Sequence, residues 1–381
     1  MWKLVFQVVP VAAWAVSLLV VVRPLALRRR GAIALSAVLA AAFGKFAIFS
    51  LVGGNAFNPS FSPWAIWLCG WAYAAAMMLM LSAVPFAAAG VALRFMHRPV
   101  AVRTRRALVA ALAVFAAALS AWGVYEGARI PDVRRVKIVF RDLPPAFDGY
   151  RIVHVSDLHC STAARRARFE RIVERVNALE PDLVAITGDF ADGLVVERGH
   201  DLAPLADLRA KDGVWGCLGN HERYWDWPGW SAALSRWNVR VLAGPPRDQA
   251  ACTIRRGGDA IALGGLPDPA FCRGVRLDAR DAFDGAPEGA FRILLFHRPC
   301  TAAIGSAEAD VRLQLSGHTH GGAMPGLRRL VARVNEGRAR GLFEFAPGRF
   351  IHVSPGTGQW AGFPLRLFTP AEITEITLSR G

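Results

Sequence analysis

Three scarcities frame this 381-residue chain. The first is acid near the N-terminus. Residues 1–128 hold 11 Lys/Arg and 1 Asp/Glu, a balance of +10, whereas residues 129–381 hold 34 and 29, a balance of +5. The net +15 therefore sits mainly in an apolar segment. A nucleic-acid-binding face would need that excess on the soluble part, so no nucleic-acid partner is expected. The second scarcity is paired cysteine. Cys69, Cys160, Cys217, Cys252, Cys272 and Cys300 form no C-x-x-C, and five of them, an odd number, follow residue 129. This argues against a complete disulfide framework. The third is histidine: there are nine, and five of them stand just after apolar runs.

What the first 128 residues lack is a polar face. Four apolar stretches, 3–22, 31–52, 65–93 and 107–125, are long enough to cross a bilayer, which takes about 20 residues. The third contains Pro85, so a tilt or kink is expected there. The first is too long for a signal-peptide core and runs into "RPLALRRR" and another span. Loops 23–30 and 94–106 carry nine arginines, whereas loop 53–63, "GGNAFNPSFSP", carries no charge. The positive-inside rule puts the arginine loops in the cytoplasm and everything after the fourth span outside, against the local pull of Arg129, Arg134, Arg135 and Lys137. The expectation is a multi-pass protein of the bacterial inner (cell) membrane. It has a membrane domain at 1–128, a soluble domain at 129–381, and the lipid bilayer as a partner.

The soluble part alternates short β-branched runs with helical stretches. "RIVHVSD" (151–157) and "DLVAITGD" (182–189) read as buried strands. Between them "ARFERIVERVNALE" (167–180) puts Phe169, Ile172, Val173, Val176 and Leu179 on one helical face, giving a βαβ unit. Further strands are expected at 214–218, 260–264, 291–296, 311–315, 349–353 and 372–378, in an α/β domain with helices over packed sheet.

Polar residues collect at the ends of these strands. Asp157 and His159 end the first, and Asp189 ends the second. Asn220 and His221 follow the third, His297 follows 291–296, and His318 and His320 follow 311–315 in "SGHTHGG". Ligands of α/β sheets gather outside the carboxyl ends of strands. Asp, His and Asn together suit divalent metals, and an Asp can bridge two of them. Gly188, Gly219, Gly317, Gly321 and Gly322 let the backbone turn and approach closely there.

The order D-x-H, G-D, G-N-H-E, H, G-H-x-H resembles the signature of the calcineurin-like metallophosphoesterases over most of residues 150–380. "LSGHTHGG" and "LRLFTPAEITEITL" resemble a membrane-associated bacterial branch, some members of which act on UDP-diacylglucosamine in lipid A synthesis. The resemblance implies a four-layer αββα sandwich and two divalent ions of the Mn, Fe or Zn kind. Asp157, His159 and His320 would hold one ion, Asn220, His297 and His318 the other, and Asp189 would bridge. His318 and His320 would each hold a different ion, as side chains two apart on an extended segment can. His221 would face the phosphate, stabilising charge or protonating the leaving group.

Such a site hydrolyses a phosphate ester or pyrophosphate, here expected to be lipid-linked. The alternatives are a broad phosphodiesterase or nuclease merely anchored to the membrane, and an inactive scaffold. Two segments are distinctive: "RYWDWPGW", with Trp225, Trp227 and Trp230, and the arginine run from Arg328 and Arg329. Both flank ligand motifs and are expected to contact a lipid substrate. "VSPGTGQW" (353–360) departs from the usual family loop, and its role is left open.

Overall fold

The computed structural model describes residues 2–242, 251–272 and 276–381. It comprises two compact units, Met1–Glu126 with Ala361–Leu367, and Gly127–Trp360 with Phe368–Gly381. The expected boundary at 128 lies two residues from the observed one, but the sequence did not signal that 361–367 joins the first unit. That segment is apolar. Its Leu365 and Leu367 lie where a Cβ on Gly123 would stand, and Pro364 lies likewise against Gly70.

The first unit is helical. Helix α1 (Trp2–Ser17) continues through a π turn (Leu18–Val22) and a 3-10 turn (Arg23–Leu25). Then come α2 (Arg29–Phe43), α3 (Lys45–Val52), α4 (Pro63–Phe95) and α5 (Val102–Ala128). Val8–Leu25, Pro63–Phe95 and Val102–Ala128 are each long and apolar enough to cross a membrane. The span expected at 31–52 is not one straight helix: α2 and α3 meet at a 69° bend, as a broken span or a re-entrant loop would. The break falls at Gly44. The next residue, Lys45, turns its ammonium inward, donating to the Gly362 carbonyl at 2.7 Å over the rings of Phe46 and Tyr73. Helix α4 runs through Pro85 as one element.

Among the described residues the second unit has twelve strands in two mixed sheets. One has the order β1-β12-β2-β3-β4-β5, with β1 (Asp132–Phe140), β2 (Arg151–Val155), β3 (Leu183–Thr187), β4 (Val214–Cys217), β5 (Val239–Val241) and β12 (Glu372–Arg380). The other has the order β10-β11-β9-β8-β7-β6, with β6 (Ala251–Arg256), β7 (Asp259–Gly265), β8 (Phe291–Leu295), β9 (Val311–Ser316), β10 (Gly341–Ala346) and β11 (Arg349–Val353). The neighbouring pairs among β2, β3, β4 and β5, and among β7, β8, β9 and β11, are all parallel.

Side-chain alternation builds the layers. Ile152, Leu183, Trp215 and Ile376 of the first sheet meet Ile261, Ile293, Leu313 and Leu315 of the second in one core. The opposite face of the first sheet, with Val153, Val184 and Val214, packs on α6 (Arg166–Asn177) through Phe169, Ile172, Val173 and Val176. After α7 (Val195–Leu202) and α8 (Asn220–Tyr224), Trp230, Ala233 and Leu234 of α9 (Trp227–Arg236) join that layer. The outer face of the second sheet covers Ala262, Leu294 and Val311 with Ala279, Ala282 and Phe283 of a 3-10 turn. The chain is thus apolar helices followed by an α/β sandwich. Cys69, Cys160, Cys217, Cys252 and Cys300 are free thiols.

Candidate metal centre

The loops leaving β2, β3, β4, β8 and β9 bring Asp157, His159, Asp189, Asn220, His221, His297, His318 and His320 together. Three groups of side chains place one ligand atom each within 4.8 Å of the others: Asp157, His159 and His320; Asp189, His297 and His318; and His159, Asp189 and His221. The first two coincide with the sets expected for two ions, apart from Asn220. The third brings His221 close enough to ligate, although it was expected only to face the phosphate.

The backbone is unusual here. Asp157, His159, Asp189, His318 and His320 all have positive φ, from 46° to 69°. Non-glycine residues rarely adopt that region, and such outliers cluster at functional sites. The finding corrects the expectation about "GHTHGG". His318 and His320 are not on an extended segment: they lie in a turn, with φ of 69° and 47°, that enters the 3-10 helix His320–Gly322. Left-handed backbone at alternate residues, rather than strand pleat, is what sends the two rings to different groups. Gly317 contributes by close approach, since a Cβ there would overlap Ser156 Oγ and Asp157 Oδ2.

The interior is arranged to receive cations. His159 Nε2 and His320 Nε2 face each other at 3.0 Å, and Asp157 Oδ1 lies 3.6 Å from His320 Nε2. His297 Nδ1 donates to the Thr187 carbonyl at 2.7 Å, which turns Nε2 inward. Nε2 then lies 3.3 Å from Asp189 Oδ2 without a hydrogen bond of proper geometry, and it is buried. Asn220 Oδ1 is likewise buried with no hydrogen-bond partner. A buried polar atom without a partner costs about 1–3 kcal/mol. A partnerless imidazole nitrogen facing Asp189 Oδ2, with a partnerless amide oxygen on the β4 loop, fits a divalent ion.

Charge is strongly coupled. Burial pushes the Asp189 carboxyl up, but the facing His297 and His221 outweigh it and hold the group well below its ordinary range. Burial lowers His297, yet Asp189 and Asp157 raise it to about 10 in the metal-free protein. His221 likewise rises to about 9 against burial, through Asp189 and Asp192. His318 is driven well below its ordinary value by burial and by His297.

Sequence reasoning missed several residues that build this site. Asp192, three residues past Asp189, is fully buried and takes His221 Nδ1 at 2.5 Å and His159 Nδ1 at 3.2 Å. One carboxylate thus orients two imidazoles. Glu222 accepts backbone N–H groups of Asp189, Phe190, Ala191 and Gly219, fixing the β3 and β4 loops to each other. Tyr224 and Trp360, with ring centroids 5.6 and 6.0 Å from that of His221, are its aromatic neighbours. The "VSPGTGQW" loop has a structural role as well: Thr357 N and Gly358 N donate to the Ser156 and Asp157 carbonyls.

The residues expected to contact substrate are not all available. Trp230 is buried in the core, with its indole N–H on the Gly193 carbonyl at 3.0 Å, so no ligand reaches it. Trp227 is half-buried against Phe271, and Trp225 is half-buried. Arg328 and Arg329 are exposed on α10 (Pro325–Val334), whose backbone at Arg328 packs against Gly322.

Two sheets back to back, with carboxylates and imidazoles at the carboxyl ends of their central strands, define a metal-dependent class of fold and site. The calcineurin-like phosphoesterase profile matches residues 150–322. An uncharacterized metallophosphoesterase of Aquifex aeolicus is 31% identical over 231 residues, covering 60% of this chain and 84% of that protein. A bovine transmembrane protein with a metallophosphoesterase domain is 36% identical over 285 residues, covering 72% of this chain. A Helicobacter pylori metallophosphoesterase is 29% identical over 266 residues, 67% of this chain and 66% of that protein. The chain belongs to the calcineurin-like phosphoesterase family. It spans 64% of the bovine relative's length.

Proposed function

We propose that this chain is a membrane-bound hydrolase of a phosphate ester or pyrophosphate, working with two divalent ions, on a lipid-linked substrate. The observation that carries the reading is the convergence of seven ligand-type side chains, five of them held in left-handed backbone, with buried polar atoms among the expected ligands that lack partners. Asp157, His159 and His320 would hold one ion, Asn220, His297 and His318 the other, and Asp189 would serve both sets. Bound ions of this kind supply Lewis-acid charge and an acidified water.

The chain's own residues do the rest. Asp192 fixes the His221 ring through Nδ1, so Nε2 faces Asp189, 3.8 Å from Oδ2. With a carboxylate on Nδ1, the ring is held ready to carry a proton on Nε2. That proton stabilises charge growing on the phosphoryl oxygens or passes to the leaving oxygen.

Membrane residence and a lipid substrate are supported by the apolar helices and by α10. Leu327, Leu330 and Val334 of α10 are 40%, 59% and 75% exposed, on one stripe flanked by Arg328, Arg329 and Arg333. An apolar stripe bordered by arginine suits the surface of an anionic bilayer. The arginine loops support a multi-pass arrangement in the bacterial cell membrane with the second unit outside the cytoplasm.

The test is hydrolysis by the purified full chain in lipid nanodiscs, over lipid phosphates, UDP-linked lipids and a soluble model diester, with and without chelator. Chelator-sensitive turnover favouring a lipid substrate supports the reading. Turnover that favours the soluble diester removes the lipid part, and no turnover with any metal removes the enzyme.

A further inference from the structure

The metal-ligand cluster leaves one set of buried polar groups unexplained. His154 on β2 belongs to the first sheet and His352 on β11 to the second, and both rings are buried. They meet Nδ1 to Nδ1 at 2.9 Å. His154 Nε2 lies 2.8 Å from Thr187 Oγ1, and Thr187 Oγ1 lies 2.8 Å from Ser156 Oγ. Ser156 Oγ donates to Asp157 Oδ2 at 2.6 Å. An unbroken line of contacts thus runs from the second sheet to a candidate metal ligand in the first.

The protons on this line can be assigned. Burial drives both imidazoles down, His352 to about 3 with the help of Arg134, so each is neutral and carries one N–H. Two bare Nδ1 lone pairs cannot face each other at 2.9 Å, so one ring donates. The far end decides which. The Ser156 hydroxyl has two acceptors in front of it, Asp157 Oδ2 at 2.6 Å and the Thr187 carbonyl at 3.0 Å, so its one proton goes to them. Ser156 then accepts from the Thr187 hydroxyl, and Thr187 accepts from His154 Nε2–H. That leaves His154 Nδ1 bare, and His352 Nδ1–H donates to it. His352 Nε2 needs no proton, for its nearest acid, Glu372 Oε1, is 3.9 Å away, beyond hydrogen-bond range.

We propose that His352, His154, Thr187 and Ser156 form a one-way hydrogen-bond chain that positions the Asp157 carboxylate for metal binding. It holds Oδ2 so that Oδ1 stays turned to His320 and His159, 3.6 and 4.0 Å away. The two histidines are positioning residues: they touch neither ion nor substrate and act through Asp157. Because His352 is on the other sheet, the chain also couples the metal ligand to the packing of the two sheets. The proposal rests on Asp157 being a ligand.

Two measurements on the full chain in detergent test it. In the metal-free wild type labelled with 15N-histidine, NMR should show His154 as the Nε2–H tautomer and His352 as the Nδ1–H tautomer. A proton on Nδ1 of His154 overturns the chain. Calorimetric titration with Mn2+ then reads the positioning. His352→Leu, which removes the donor, should weaken one of two binding events by about 10-fold, the scale of losing an outer partner of a metal ligand. His352→Asn, whose amide N–H can stand where Nδ1–H stood, should bind close to wild type. Equal losses in both variants would mean packing rather than donation, and no loss in either would mean the chain carries nothing. Should His352→Leu not fold, Ser156→Ala replaces it, with the same loss expected at one site and wild-type affinity counting against the proposal. A wild type that binds no Mn2+ would fail the metal-site reading itself, while the tautomers still report on the chain.

Discussion

Replacing Asp192 by Asn isolates the charge beneath His221. The amide oxygen can still accept from His221 Nδ1, so the ring keeps its direction while the negative charge is lost. His221 rises from 6.5 to about 9 in the metal-free protein, against burial and through Asp189, Asp192 and Glu222. That rise corresponds to about 3 kcal/mol. The His221 side chain is 16% exposed, so little discount for solvent is needed. Asp189 Oδ2 lies 3.8 Å from the ring and Asp192 contacts it at 2.5 Å, so removing the Asp192 charge takes away part of the effect, on the order of 1 kcal/mol. Bound cations lower His221 in wild type and variant alike, so the displacement between the two is the quantity to read. If protonated His221 is needed, the basic limb of the kcat/KM profile should move down by about one pH unit in Asp192→Asn. Below that limb, activity should fall by about 10- to 100-fold through a loosened His159, whose Nδ1 loses its carboxylate oxygen. The assay is a pH series on a soluble phosphodiester with metal in excess. An unmoved basic limb would refute the role given to the His221 proton.

Other perturbations separate the parts of the site. Asp189→Asn should lose metal and turnover together, since this carboxylate serves both ligand sets; turnover near wild type with two ions retained would refute that, as read by metal analysis and rate. His221→Ala should keep two ions while kcat falls by about 10²-fold; loss of an ion would make His221 a ligand, as its place in the third cluster allows. Metal-free protein should lose thermal stability as pH rises. His221 and His297 are raised to about 9 and 10, so their contribution is full below about 6.5 and is lost through those values. A flat melting temperature over that window would contradict the charge arrangement. A reporter fused after Gly381 should read as extracytoplasmic, and a cytoplasmic reading would reverse the proposed topology, as a re-entrant α2–α3 would help explain.

What the sequence revealed follows from burial. The eight strands legible in it are β2, β3, β4, β7, β8, β9, β11 and β12, and most of them are buried along most of their length. The four it did not reveal, β1, β5, β6 and β10, are the four edge strands. Half-exposed edges mix polar and apolar residues, as "DVRRVKIVF" does in β1, so no continuous apolar run marks them. The ligand side chains were legible because each follows a buried strand. Asp192 was not: it acts through the rings of His159 and His221, and nothing in "GDFADG" marks one aspartate as ligand and another as orienter. The left-handed backbone of the ligands, the burial of Trp230 and the meeting of His154 with His352 depend on tertiary packing, which local pattern does not carry.

The central claim is a two-ion site on the second unit's strand ends. Its most direct test is the metal content of the purified full chain, wild type beside Asp189→Asn, by elemental analysis after dialysis against metal-free buffer. The wild-type chain should hold about two divalent ions, and the variant should lose both or nearly both. A wild-type chain that holds no ion after incubation with Mn2+, Fe2+ or Zn2+, or a variant that holds as many as wild type, would contradict it.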